Sequence, residues 1–295
     1  MSGRLSILYH AVAFVVVAIW GSTFVFTKLL LLGGLTPAQI FVLRFVIAYL
    51  MLLVFCLWRG IRWVSDSWKD ELLMVLLGLT GGSLYFLTEN SSMNYTTTTN
   101  TSLIVSLCPL VATALISLFY KSQRLNRRQT VGSLMAAVGV ALVVMNGHFV
   151  LHLSPLGDVL AFSAALCWAV YSLLMIPVNR KYDTLFITRK VFFYGLLTMI
   201  PYFIWRPGLG IHLLVQQPEL VWNLLFLGCV ASMLCFLAWN WVLKKLGAVV
   251  ATNYVYFNPV TTIIFAWLIL HEQITLFFIL GTLLILVGMY MADRH

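Results

Sequence analysis

Ten apolar runs follow one another along the chain, each about 20 residues long and separated by short polar stretches. A helix needs about that length to cross roughly 30 Å of hydrocarbon at 1.5 Å per residue. The runs fall at 9–31, 36–58, 71–91, 97–120, 128–147, 155–177, 185–205, 219–243, 249–270 and 274–292. In lipid only helices and closed barrels satisfy every backbone polar group, so runs of this length predict an all-α membrane protein with ten transmembrane helices. Composition agrees: charged residues are 9% of the chain, against about 25% in soluble domains. The first run is longer than a signal-peptide core and has no small-residue cleavage site, so it is expected to stay in the mature chain. The runs leave no room between them for a soluble domain.

The charges that remain orient the spans. With the N-terminus on the cytoplasmic side, 15 of the 18 Lys and Arg residues fall on that side: Arg4; Arg59, Arg62 and Lys69; Lys121, Arg124, Arg127 and Arg128; Arg180, Lys181, Arg189 and Lys190; Lys244 and Lys245; and Arg294. The far side holds Lys28 and Arg206, while Arg44 lies inside the second run. Cytoplasmic loops of membrane proteins carry this excess. The expectation is a multi-pass protein of the cytoplasmic (inner) membrane with both termini cytoplasmic. A net charge of +9 distributed in this way does not form the basic, aromatic-interleaved surface that binds nucleic acid.

An internal repeat sits beneath the spans. Shifted by 150 residues, "LLGLTGGSLYFLTEN" (76–90) lies on "FLGCVASMLCFLAWN" (226–240), matching Leu77, Gly78, Leu84, Phe86, Leu87 and Asn90 to Leu227, Gly228, Leu234, Phe236, Leu237 and Asn240. Pro109 then falls on Pro259 and Gln123 on Gln273, and after a one-residue slip Gly132 and Gly139 fall on Gly281 and Gly288. The chain therefore reads as two five-helix halves, 1–150 and 151–295. Because five is odd, the second half enters the membrane from the opposite side, and a pseudo-twofold axis in the membrane plane relates the halves. The charge pattern agrees: "KSQRLNRRQ" after the fourth run is basic, whereas its counterpart "HEQITLFF" has no Lys or Arg. Two inverted five-helix repeats around a central cavity are a hallmark of secondary transporters.

Several ordered motifs carry a family resemblance: "WGSTFVFTKLLLLGGLTPAQIFVLRFVIAYL" (20–50), "YTTTTNTSLIVSLCPLV" (95–111), "GDVLAFSAALCWAVYSLL" (157–174) and "GAVVATNYVYFNPVTTIIFAWLILHEQIT" (247–275). Together they resemble the drug/metabolite transporter superfamily, EamA type. The resemblance implies ten helices, cytoplasmic termini and export of amino acids or other small metabolites through a cavity lined by helices 1, 3, 4, 6, 8 and 9. Where the family usually has an acidic residue after the fourth helix this chain has Ser122 and Gln123, while the second half keeps Glu272.

Candidate site residues come from polar or aromatic groups placed within the spans. The stretch "TENSSMNYTTTTNTS" (88–102) runs from the end of the third span into the fourth, which carries Thr98, Ser102, Ser106, Pro109, Thr113 and Ser117 on one helical face. Such a stripe serves either close helix packing with interhelical hydrogen bonds or the wall of a polar cavity, and Ser102 and Ser106 are the cavity candidates. Pro109 and Pro259 are expected to kink their helices. Trp20 and Trp168 lie at mid-span, away from the interfacial belts where Trp gathers. With Tyr85, Trp239 and Tyr256, and with the repeat-matched Asn90 and Asn240, they are candidates for a substrate-binding wall; Tyr254 could extend it. Lys28, Arg44 and Glu89 are intramembrane charges, each costly in hydrocarbon. An Arg44–Glu89 or Lys28–Glu89 pair is the structural alternative to a binding or coupling role.

Enzyme motifs are missing. "HEQIT" has Thr275 where a zinc-binding HExxH motif needs its second His, and GxSxG and P-loop patterns are absent. The five cysteines lie in apolar runs without a CxxC pair. The expectation is no enzyme, no metal and no cofactor; the partners are a small-molecule substrate and the lipid bilayer, with no nucleic acid and with a homodimer left open. The function read from the chain is secondary export of amino acids or other small metabolites by alternating access. The alternatives are a multidrug or amphipathic-compound efflux carrier, or a passive channel or scramblase.

Overall fold

Helix boundaries follow local chemistry. In the computed structural model, which describes residues 3–120, 126–145, 154–270 and 275–293, every regular element is helical. Gly34, at φ 95°, turns the chain after α1 (Gly3–Leu32), and Thr36 and Gln39 then form a reciprocal capping box that starts α2 (Pro37–Trp58). Ser67 caps α3 (Trp68–Gly78, Leu79–Ser83 and Leu84–Ser92), and Thr97 caps α4 (Thr98–Val105 and Cys108–Phe119). After α5 (Arg127–Met145), Ser154 caps α6 (Pro155–Lys181) and Asp183 caps α7 (Thr184–Leu197 and Ile200–Trp205). A short helix, Ile211–Gln216, leads into α8 (Pro218–Leu225, Phe226–Leu234 and Cys235–Leu246). Then come α9 (Ala248–Asn253, Tyr254–Phe257 and Asn258–Leu270) and α10 (Leu276–Asp293). Ser122, Gln123, Glu272 and Gln273 lie outside the described residues.

Seven of these helices are long and apolar enough to cross a membrane by themselves: α1, α2, α3, α4, α6, α8 and the Ala248–Phe265 part of α9. The ten-span fold is completed by α5, by the interrupted α7 and by α10 with its apolar Ile279–Ala292 stretch. Large apolar side chains such as Val54, Leu72, Ile204 and Leu283 stay exposed, as lipid-facing positions do. Exposed tryptophans mark both edges of this belt: Trp58, Trp63 and Trp68 on one face, Trp205 and Trp222 on the other. The face of Trp58 and Trp68 also carries Arg59, Arg62, Lys181 and Lys244, and is the basic face below.

The packing repeats itself in pairs. Helix α1 packs on α8 and α9, as α6 packs on α3 and α4; α2 packs on α8, as α7 packs on α3. Helices α2 and α7 meet each other, as do α5 and α10. This is the pairing that two inverted repeats produce. At the α5–α10 contact, a Cβ on Gly132 would lie 2.6 Å from the Gly288 carbonyl oxygen, and one on Gly139 would lie 2.7 Å from that of Gly281. Glycine at all four positions lets the two backbones touch.

Candidate functional site

Besides α7, four helices lose regular geometry, in two pairs related by the repeat. In α3 the π segment Leu79–Ser83 includes Gly82 at φ −123° and ψ −106°; 150 residues on, α8 has the π segment Phe226–Leu234. Helix α4 is interrupted between Val105 and Cys108, and α9 tightens to a 3₁₀ turn at Tyr254–Phe257. Pro109 and Pro259 lie just after these interruptions, in the first turn of the helical segments that follow. There the missing N–H has no intrahelical partner to lose. The expected mid-helix kink is therefore a change of segment, with proline opening the second piece.

These irregular segments surround a narrow cavity in the half of the bundle away from the basic face. Its wall takes Trp20, Thr23 and Phe24 from α1, Arg44 from α2, Tyr85, Phe86 and Glu89 from α3, Val105 and Cys108 from α4, Trp168 from α6, Phe236 from α8, and Val255 and Asn258 from α9. An aromatic cluster closes it towards the basic face. Trp20 stands edge-on to Trp168 at 5.3 Å between ring centroids and lies 5.1 Å from Trp239. The Trp20 indole N–H donates to the Ala231 carbonyl at 2.9 Å, inside the π segment of α8.

The polar groups of this wall are incompletely matched. Arg44 is 1% exposed; its Nε donates to Ser232 Oγ at 2.8 Å and its Cζ lies 4.5 Å from the centre of the Phe86 ring. Glu89 is buried and accepts from the Tyr85 hydroxyl at 2.6 Å. The ion pairs found among the described residues lie elsewhere, so Arg44 and Glu89 face one cavity without an N–O contact inside 4.0 Å. Two further buried atoms of the wall, Trp168 Nε1 and Asn258 Oδ1, have no hydrogen-bond partner among the described residues. Buried polar atoms are seldom left so. A cation, a carboxylate, a free donor and a free acceptor thus converge on one space with aromatic walls.

A different set of charges joins the two halves at the basic face. Lys181 pairs with Asp70 and, at 3.5 Å, with Asp66, which also holds Arg62 at 2.6 Å. Glu71 accepts from Lys190 and Tyr194, and the Tyr182 hydroxyl donates to Asp70 at 2.7 Å. Arg189 donates to the backbone carbonyls of Ile61 and Arg62. Every one of these links except Arg62–Asp66 runs from residues 61–71 to residues 181–194.

The sequence matches the EamA-like transporter family twice, over residues 7–145 and 155–292. The chain belongs to this family. Among similar proteins, an uncharacterized transporter of Archaeoglobus fulgidus is 29% identical over 97% of this chain and 98% of its own length. The uncharacterized transporter YoaV of Bacillus subtilis is 28% identical over 94% and 93%. A probable amino-acid metabolite efflux pump of Escherichia coli is 25% identical over 94% and 92%. A solved crystal structure with 18% identity covers 96% of each chain at a TM-score of 0.73, which concerns the fold alone. This EamA-like chain is thus a multi-pass membrane transporter of a small-molecule substrate.

Of the EamA-like chain's candidate residues, Trp20, Arg44, Tyr85, Glu89 and Trp168 line the cavity. Lys28 donates to the Met93 carbonyl at 2.7 Å and makes no ion pair with Glu89 within 4.0 Å. Trp239 is fully buried behind the wall, against Trp20 and Trp168. Asn240 accepts from Tyr171 at 2.5 Å and donates to Thr188 at 2.9 Å, while Asn90 is buried with its amide 3.4 Å from the Pro37 carbonyl. Ser106, Thr113 and Ser117 donate to carbonyls of their own helix, and Ser102 meets Thr262 at 3.4 Å. Tyr256 is fully buried in the 3₁₀ turn of α9. The sequence reading missed Thr23, Phe24 and above all Asn258. Asn258 stands one repeat from Cys108, directly before Pro259, so the repeat had marked its neighbour without marking it.

Proposed function

We propose that the chain exports amino acids, or metabolites with the same paired charges, across the cytoplasmic membrane by alternating access of halves 1–150 and 151–295. The observation that carries this reading is the pair Arg44 and Glu89, facing one buried cavity from α2 and α3 without joining. An unpaired buried charge is costly, and a zwitterion relieves both at once: carboxylate to the guanidinium, ammonium to Glu89. The free Trp168 N–H and Asn258 carbonyl add a donor and an acceptor for the same ligand. Phe24, Phe86 and Phe236 favour an apolar side chain, as aromatic pocket walls do. The name of the Escherichia coli relative supports the substrate class, and the basic face suits the cytoplasmic side.

The test is binding to purified protein of L-leucine, of leucinol, which lacks the carboxylate, and of isocaproate, which lacks the amine. Wild type should prefer L-leucine over both by at least about tenfold, since one charged hydrogen bond contributes about 1.5–3 kcal/mol. Arg44→Gln should erase the preference over leucinol, and Glu89→Gln the preference over isocaproate. Equal binding of the three by wild type would contradict the zwitterion reading and favour an amphipathic-compound carrier.

A further inference from the structure

A second polar cavity lies at the basic face between α6 and the junction of α8 with α9. Its shape follows from two local features. Pro177, inside α6, cannot donate to the Leu173 carbonyl one turn earlier, and Gly247, at φ 84°, ends α8 and turns the chain into α9. The space between is lined by Ile176, Asn179, Arg180, Leu243, Lys244 and Gly247, among others, with no acidic side chain in the wall.

The charges around it are unevenly used. Lys181, Lys190 and Arg62 are bound to Asp66, Asp70 and Glu71, whereas Arg180 and Lys244 have no carboxylate within 4.0 Å among the described residues. Lys244 donates to the Tyr182 carbonyl at 2.9 Å, which fixes its ammonium at the mouth. Asn179 is 7% exposed, and its Oδ1 has no hydrogen-bond partner among the described residues. Two cations and a free buried acceptor therefore line one recess. On α6, Asn179 is eleven residues from Trp168, three helical turns, so both are on one face about 16 Å apart. Between them stands Tyr171, held by Asn240.

We propose that this recess is a loading site for the carboxylate-bearing substrate, with its carboxylate at Arg180 and Lys244 and its amine donating to Asn179 Oδ1. It rests on the export reading above and extends it: the solute waits here while the aromatic cluster and the Tyr171–Asn240 contact separate it from the main cavity. Net positive charge at the mouth raises the local concentration of anionic groups and rejects solutes carrying only an amine.

The recess can be read without measuring transport. Ile176→Cys is placed in a chain whose five native cysteines are replaced, reconstituted in phosphatidylcholine vesicles, and exposed to two membrane-impermeant methanethiosulfonates, one with a sulfonate and one with a trimethylammonium group. Normalised to free thiol, the sulfonate reagent should react about tenfold faster. Arg180→Gln combined with Lys244→Gln should bring the ratio near one. Millimolar L-leucine should slow the reaction and leucinol should not, and Asn179→Ala should weaken the protection by leucine. Equal rates, no reaction with either reagent, or a preference that survives neutralisation would overturn the proposal. So would a recess protected by added phosphatidylglycerol but not by leucine, which would make it a lipid-headgroup site. Leucine protection without any transport would leave the recess standing and remove the export reading alone.

Discussion

At the scale of single residues, the cavity stands out for polar atoms without partners. Asn258 gives the sharpest case, because its Oδ1 is buried and unbonded while its backbone carbonyl is already used by Thr261 and Thr262. Replacing it with leucine keeps the branched side chain of four heavy atoms and removes an unsatisfied acceptor. Asn258→Leu should leave the ligand-free protein as stable or more so in a thermal melt, while amino-acid binding weakens about 5- to 30-fold, about 1–2 kcal/mol. A variant that melts lower and binds normally would mean that Asn258 is structural. Arg44 and Glu89 were visible in the sequence because charges are rare inside apolar runs. Their relation was not visible: spacing along α2 and α3 says nothing about whether two side chains meet or share a space. Lys28 shows the same limit, since its partner is a backbone carbonyl that no pattern of residue types announces.

At the scale of helices, residue type was legible where a contact depends on size. Gly132, Gly139, Gly281 and Gly288 repeat at a spacing of seven and do pack backbone on backbone. Gly139→Ala should lower the thermal stability of the purified protein by about 1–3 kcal/mol, the usual cost of overpacking, whereas Leu134→Ala, on the exposed side of α5, should change it little. Equal effects would contradict the close α5–α10 contact. The π segments were less legible; the glycines in "LLGLTGG" hint at the first, but "FLGCVASML" reads as an ordinary apolar helix. The hydroxyl stripe of α4 left packing and cavity both open because helical periodicity assigns a face without naming its neighbour; the hydroxyls of Ser106, Thr113 and Ser117 bond within their own helix. The clasp at the basic face makes a prediction of its own. The hydrogen bond from Arg62, with the charges of Arg62 and Lys181, holds Asp66 below its ordinary value of 3.8. A depressed carboxyl stabilises the fold above that ordinary value and loses its contribution as pH falls through the lower one. Melting temperature should therefore drop less between pH 5 and pH 2 in Asp66→Asn than in wild type, and the difference should shrink in 1 M salt. Parallel curves would remove Asp66 from the clasp.

At the scale of the whole molecule, the features fit one mechanism. The pairwise packing of α1 with α8 and of α6 with α3, the paired helix interruptions and the double family match describe two related halves meeting around a cavity. The repeat was legible because it rests on several matched positions in order, and the inversion because five spans per half is odd. The contents of the cavity were only half legible: it is assembled from seven helices, and residues such as Asn258 and Phe24 acquire meaning only where those helices converge. Aromatic closure at Trp20, Trp168 and Trp239 and the ionic clasp beyond it separate the cavity from the basic face, the arrangement that the proposed alternating access calls for. Counterflow measures that directly. Vesicles loaded with unlabelled L-leucine, L-methionine and L-phenylalanine, then diluted into labelled L-leucine, should accumulate label transiently above equilibrium, with saturation as the outside concentration rises. The variant carrying both Arg44→Gln and Glu89→Gln should give no such overshoot. Wild-type entry that rises linearly with concentration, never exceeds equilibrium and is unchanged in that variant would describe a passive pore and contradict the account.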